Sequence, residues 1–333
     1  MSAPKVSVVM PVYNTKEEFL REAVSGILSQ TYTNFEFLII DNGSDKYIKD
    51  IINSYNDERI FYHRIEENKG PAFARNYGID KSRGSYIAFM DSDDISLPTR
   101  LEKQVDFLEN NPEFGCIGTA AEVFGDDAQK INFNFFKDSF EIEYNLVVIG
   151  CSFCQSSVML RKSVVDKYNI RYRPEWVPAE DYGLYVDLIG KTKFKILNEI
   201  LTKYRFYHKN TSHLLNKEQR DINKTIKNYA INRYCNVETK NPQLVSKFIF
   251  EEKLTLDELV ELSSVMGKII GELCKYGCPK DMVIQALKKK VKKYYRHCHS
   301  LLGQWILMIS PINQIFNLPF TWRLMCLITR GIF

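Results

Sequence analysis

Four short runs dense in β-branched and aromatic residues recur through the first hundred positions: VSVVM (6–10), FEFLII (35–40), IFYHR (60–64) and YIAFM (86–90). Each is followed by a segment with helical spacing. In TKEEFLREAVSGILSQ, Phe19, Ala23, Val24, Ile27 and Leu28 fall on one stripe, and Thr15 and Glu18 have capping-box spacing, which predicts a helix starting there. After the second run, Ile48, Ile51, Ile52 and Tyr55 mark another helix. VSVVM is apolar enough for a strand covered on both faces and is expected to break off at Pro11, leaving Tyr13 and Asn14 exposed. This rhythm implies βαβ units in an α/β fold, with a doubly wound, mostly parallel sheet and helices on both faces.

From Pro98 the pattern loosens into a helix (PTRLEKQVDFLENN), an apolar stretch (CIGTAAEVF) and a mixed region ending in FKILNEILTKYRFYH. Beyond about His213 the strand signals stop and Lys-rich helical patterns follow. The expected organisation is a domain over residues 1–213, with halves at 1–98 and 99–213, and a C-terminal helical appendage over 214–333. Within the appendage, TLDELVELSSVMGKIIGELCKYG reads as an amphipathic helix closed by Gly277, and PKDMVIQALKKKVKKYYRHCHS as a basic one. The last 33 residues are aromatic and aliphatic but are cut by Pro311 and Pro319, so no run reaches the ~18 apolar residues of a spanning helix.

A chain of 333 residues with 45% hydrophobic and 26% charged content can bury a core without staples. Its formal charge of +4 is too small to imply a nucleic-acid partner. Eight cysteines without framework spacing, and an N-terminus that enters a strand without a cationic leader, favour free thiols in a reducing cytoplasm. Cys151 with Cys154 and Cys274 with Cys278 are short pairs, but they lie in apolar or helical segments, which argues against structural zinc.

The chemistry concentrates at strand ends. The second strand ends in IIDNGSD and the fourth in AFMDSDDISLP. Asp91 and Asp93, at i and i+2 after a buried strand, form a hard oxygen-rich edge that suits a divalent cation completed by water and a diphosphate. Asp94 fits equally well as a cap for the helix near Pro98. Three crowded acids repel one another unless a cation or a hydrogen-bond network compensates. Tyr13 and Asn14, at the corner after the first strand, are suited to stacking on and hydrogen-bonding a flat base, although a plain turn explains them too.

Five motifs in order, VVMPVYN, IIDNGS, NKGPAFARNYGI, YIAFMDSDD and AEDYGLYVDL, make residues 6 to about 213 resemble a family 2 glycosyltransferase of the GT-A fold. The resemblance implies a nucleotide-sugar site. Pro11 and Tyr13 would line the base pocket, Asp41 would meet the uracil edge, and Asn68, Lys69, Gly70 and Arg75 would cover the nucleotide, with Asp91 and Ser92 completing the set. It also implies Mn2+ or Mg2+ on Asp91 and Asp93, with His208 of YRFYH as a further ligand. The chain departs from the family at Asn42, where a second acid is usual, and at Lys46, which also replaces an acid.

In PAEDYGLYVDLIGK, Asp181 is the expected general base and Glu180 the residue that orients the acceptor, and the resemblance implies acceptor-side positions for Tyr182 and Tyr185. The resulting expectation is inverting, metal-dependent transfer from a UDP-sugar to a lipid-linked glycan of a bacterial surface polysaccharide, such as lipopolysaccharide, O-antigen or capsule. A sugar-nucleotide-forming nucleotidyltransferase would need a Gly-rich phosphate cradle where PVYNTKEEF stands. A non-catalytic glycan-binding scaffold is disfavoured by the intact Asp91, Asp93 and Asp181. KKKVKKYYRH and the aromatic tail suit either the inner face of a membrane or a contact with protein, including a homodimer.

Overall fold

A computed structural model describes residues 4–45, 47–125, 139–148, 150–207 and 216–235, with single positions at 244, 247, 258 and 261. The chain divides into two compact units, Met1–Ile142 with Cys151–Ile222, and Glu143–Gly150 with Asn223–Phe333. The strands run β1 (Val6–Val12), β2 (Phe35–Asn42), β3 (Ile60–Ile65), β4 (Tyr86–Phe89), β5 (Ile95–Ser96), β6 (Phe114–Phe124), β7 (Met159–Arg161) and β8 (Lys193–Arg205). The helices are α1 (Glu17–Leu28), α2 (Tyr47–Asn53), α3 (Pro71–Lys81), α4 (Arg100–Asn110), α5 (Ser139–Val148), α6 (Lys162–Lys167), α7 (Glu180–Leu188) and α8 (Asn216–Cys235).

The eight strands form one sheet in the order β3-β2-β1-β4-β7-β6-β8-β5. The four expected strands make its parallel half, β3-β2-β1-β4. Beyond β4 the sheet is mixed: β7 is antiparallel to β4 and to β6, β6 is parallel to β8, and β5 is antiparallel to β8. The short strands β5 and β7 carry no alternation long enough to read from sequence.

Side-chain alternation explains the double covering. Val6, Val8, Met10 and Val12 share a core with Leu20, Ala23, Val24 and Ile27 of α1, Ile48, Ile51 and Ile52 of α2, and Leu101, Val105 and Leu108 of α4. Val9 points the other way, against Gly78 of α3, where an added Cβ would lie 2.2 Å from a Val9 methyl. The chain winds outward from β1 to β3 and then returns to the opposite side at β4. Loops at the carboxyl ends of β1, β2 and β4 therefore meet at a switch point, where open α/β sheets form ligand crevices.

Several expectations need correction. β1 does not stop at Pro11 but continues to Val12, pairing with β2 through Asp41. Its pairing with β4 ends at Val9, so Pro11, which has no N–H, sits where that side is no longer paired. α1 begins at Glu17 after Lys16 without a side-chain cap, so Thr15 and Glu18 form no capping box. α2 ends at Asn53, which leaves Tyr55 outside it. In α8, Ile226, Ala230 and Ile231 are buried. The basic stretch 288–297 and the aromatic tail lie outside the described residues, as do Cys274 and Cys278. Among the described residues no helix is long and apolar enough to cross a membrane.

α7 is buried along its whole length after the first turn, including Tyr182 and Tyr185. The expected acceptor-facing aromatics are therefore core residues; the Tyr185 hydroxyl donates to Gln155 Oε1, and its ring lies 4.8 Å from that of Phe153. Gly183 lets α7 approach Trp176, because a Cβ there would come within 1.8 Å of the indole. Gly183→Ala should consequently cost about 1–3 kcal/mol or more of stability through overpacking. Chemical denaturation would measure the loss, and an unchanged midpoint would contradict this packing.

Candidate active site

Three loops close on one another at the β1–β2–β3 end. Asn14 adopts a positive φ of 47°, tolerated by an Asn side chain; its N–H donates to Ser44 Oγ at 3.0 Å and its Oδ1 accepts from the Asp45 N–H at 2.9 Å. Tyr13 stays 51% exposed beside this clamp, while Pro11 is partly buried in β1. Asn42, at the family's usual acid position, donates to Asn68 Oδ1 at 2.8 Å and to the Gly70 carbonyl at 3.1 Å. Its own Oδ1 accepts from the Lys69 N–H at 3.1 Å. A carboxylate cannot make those two donations, which gives the departure at Asn42 a structural role. Gly70 precedes α3 with φ 84° and no neighbour near a prospective Cβ, so conformation rather than crowding requires glycine there.

Asp41 is fully buried. Its Oδ1 accepts from the Ser44 N–H at 2.8 Å, and its Oδ2 accepts from the Tyr62 hydroxyl and from Arg64 Nη1 at 2.7 Å. The more accessible groups on that wall are Tyr62 and Arg64. Lys69 points its amine over the Phe73 ring, 5.0 Å from the centroid, on an exposed stretch.

The acidic edge follows β4. Asp91 Oδ1 accepts from Arg75 Nη2 at 2.7 Å, and Arg75 Nη1 meets Glu180 Oε1 at 2.5 Å. Arg75 thus joins the β4 edge to the start of α7, with each terminal nitrogen on a carboxylate. Burial opposes its charge, but Asp91 and Glu180 outweigh burial and hold the guanidinium well above its ordinary pKa. Glu180, also buried, is fixed by this pair. Breaking such a pair on one side leaves an uncompensated buried charge, at a cost of about 3–5 kcal/mol.

Burial and then the Asp91 charge push Asp93 up to about 6, while the Tyr207 hydroxyl approaches its Oδ2 at 3.4 Å. Asp94 does not cap α4, which starts six residues later behind Thr99. It is buried, accepts from the Ser156 hydroxyl and, at 2.8 Å, from the Arg205 N–H, and is driven well above its ordinary pKa by burial and by Asp93. Arg205 also donates from Nε to the Asp93 carbonyl at 2.7 Å while lying between the rings of Phe19 and Phe124. Ser92 exchanges a 2.6 Å hydrogen bond with Thr15, tying the edge to the β1 corner. Arg75, Arg205 and Ser156 therefore offset part of the crowding, while repulsion from Asp91 still acts on Asp93.

Asp181 stands at the first turn of α7 and accepts from the Tyr182 N–H at 2.7 Å. Burial first, and then the neighbouring Glu180 charge, push its carboxyl up to about 6, with Asp91 acting in the same direction. Asp91 and Asp93 are hard oxygen donors whose mutual repulsion raises a pKa, so they fit a hard divalent cation. His208 lies outside the described residues. Among the described residues no cluster of three or more His, Cys, Asp or Glu side chains forms a larger metal site.

Sequence reasoning missed Asn42, Tyr62, Arg64, Ser156, Arg205 and Tyr207 as structural partners. Asn42 lay in the quoted stretch IIDNGSD, where it stood only as a departure from the family, and Arg205 and Tyr207 lay in YRFYH, quoted there for the adjacent histidine.

The chain belongs to glycosyl transferase family 2, whose family profile matches residues 7–168. An uncharacterized glycosyltransferase of Methanocaldococcus jannaschii is 35% identical over 213 residues, which is 62% of this chain and 72% of that protein. The UDP-Glc:alpha-D-GlcNAc-diphosphoundecaprenol beta-1,3-glucosyltransferase WfaP of Escherichia coli is 31% identical over 203 residues, or 61% of this chain and 77% of its own. The crystal structure of S. aureus TarS 1-349 in complex with UDP-GlcNAc matches with a TM-score of 0.59 at 15% identity, covering 98% of this chain and 92% of that one. This last likeness is one of fold, and the fold is that of the GT-A glycosyltransferases.

Proposed function

We propose that this enzyme transfers a sugar from a UDP-sugar to a hydroxyl of a lipid-linked glycan, inverting the anomeric centre to make a β linkage. The observation that carries the reading is the bridge Asp91–Arg75–Glu180, which joins the acidic end of β4 to the helix start that bears Asp181. This bridge supports reading donor edge and candidate base as parts of one site. The name of the E. coli relative supports the donor, the lipid-linked acceptor and the linkage.

In this reading, Asp181 accepts the proton of the acceptor hydroxyl as the oxygen attacks the anomeric carbon. The carbon–oxygen bond to the diphosphate breaks on the opposite face, and its electron pair leaves with UDP. Asp91 and Asp93 are the residues that would hold Mn2+ or Mg2+, which when bound would supply Lewis-acid stabilisation of the departing diphosphate. Arg75 holds the two walls together, and Glu180, fixed by it, shapes the acceptor side. The residue 99–213 half would supply most of that wall. Screening a panel of UDP-sugars with Mn2+ by thermal shift and turnover tests the reading; absence of both stabilisation and transfer for every member would overturn it.

A base must be deprotonated, so raising its pKa moves the acidic limb of the rate profile upward. With Asp181 at about 6, turnover should climb with pH through about 6, not level off near 4 as for an ordinary aspartate. The profile should be measured at saturating cation, where Asp93 is held deprotonated. A limb still near 4 would exclude Asp181 as the group observed.

A further inference from the structure

Between the acidic edge and α7 lies a single 3₁₀ turn, Gln155–Ser157, whose three polar side chains are all buried. A buried polar turn is costly unless each group is paired, and an apolar turn would avoid that cost. Its partners explain the residue types. Ser156 Oγ accepts from the Asp91 N–H at 3.0 Å and donates to Asp94 Oδ2, so one hydroxyl spans the acidic edge. One residue earlier, Gln155 faces the other wall: its Nε2 donates to the Tyr172 hydroxyl at 2.6 Å, and its Oε1 accepts from Tyr185 of α7. Tyr172 in turn lies edge-on to Phe89 of β4 and beneath the Arg75 guanidinium, 5.6 Å from the ring centroid.

The turn is also gripped from α4. Arg100, entirely buried, donates from Nη1 to the Ser156 carbonyl and from Nη2 to the Phe89 carbonyl at 3.3 Å. Gln104, one helical turn later, donates to the Ser157 carbonyl at 2.8 Å. Burial lowers the Arg100 pKa to about 10, leaving it a cation at neutral pH. Its direct hydrogen-bond partners are backbone carbonyls and the Met90 sulfur. A cation in that environment is retained at a desolvation cost, and here it fixes the ends of β4 and of the turn in one arrangement.

We propose that the Gln155–Ser157 turn is the positioning element that keeps the acidic edge and the helix of the candidate base in register, with Ser156 and Gln155 as its two contacts. It rests on the glycosyl-transfer reading above. Because the contacts are consecutive in the chain, a displacement of either wall is transmitted to the other without passing through substrate.

The test cuts each contact in the full-length protein and looks at the opposite wall. Ser156→Ala removes the hydroxyl at the acidic edge, and Gln155→Met removes both tyrosine contacts at similar volume. Hydrogen exchange is followed in peptides spanning 89–95 and 180–188, under conditions where both variants are folded. Ser156→Ala should speed exchange at 180–188, and Gln155→Met at 89–95, each by about 10-fold. Turnover of the best UDP-sugar should fall by about 10- to 100-fold in each, the scale for a displaced reacting group, with donor KM changed less than kcat. Either variant suffices if the other does not fold.

A turn that contributed only stability would lower the melting temperature while leaving the far wall and kcat per folded molecule unchanged. That result, or exchange altered only on the near wall, overturns the proposal. If wild-type protein turns over no UDP-sugar, the donor assignment falls, and the exchange data alone decide this inference.

Discussion

Asp181→Asn should bind UDP as the wild type does and lose turnover by about 100-fold or more, the usual contribution of a positioned base. The change preserves shape and the acceptor oxygen for the Tyr182 N–H, so the start of α7 is expected to stay in place. What disappears is the ability to take a proton at near-neutral pH. An amide also ends the repulsion from Glu180 that helps raise the native carboxyl, so the variant should be no less stable than wild type. Stopped turnover with intact UDP binding by calorimetry supports the assignment. Normal turnover with intact binding would place the base elsewhere.

Asp93→Ala should cause a loss on the order of 10³-fold or greater, equivalent to several kcal/mol of charge stabilisation at about 1.4 kcal/mol per decade. Asp93 is only partly buried, and its carboxyl carries a repulsive interaction with Asp91, so its removal should leave the melting temperature unchanged or raised. Arg205 grips the Asp93 backbone carbonyl, which the substitution retains. Activity is measured with excess Mn2+, and binding with UDP and Mn2+ together. Full activity in the variant, or wild-type activity undiminished in excess chelator, would eliminate the metal-assisted route.

The parallel half of the sheet was legible because each strand is a compact apolar run followed by a helix with 3.6-residue spacing. Most of its boundaries shifted by only a few residues. Thr15 shows the limit of local reading: its spacing to Glu18 matches a capping box, but the hydroxyl finds Ser92, 77 positions away. Tyr182 and Tyr185 show another. Expected on the acceptor side, they are buried with most of α7, so that helix offers no aromatic face to a sugar.

By itself, the sequence determined the βαβ rhythm, the placing of acids at strand and helix ends, and the ordered motifs of the family. These depend on periodicity and on residue types close together in the chain. Tertiary structure alone decided which charges meet: Arg75 reaches Glu180 across 105 positions, Asp94 reaches the Arg205 backbone across 111, and Asp41 is enclosed by Tyr62 and Arg64. The physical reason is that a carboxylate's role depends on its desolvation and on the donors that face it. Those donors come from other strands and helices, whose approach is set by packing across the sheet and leaves no periodic trace near the carboxylate.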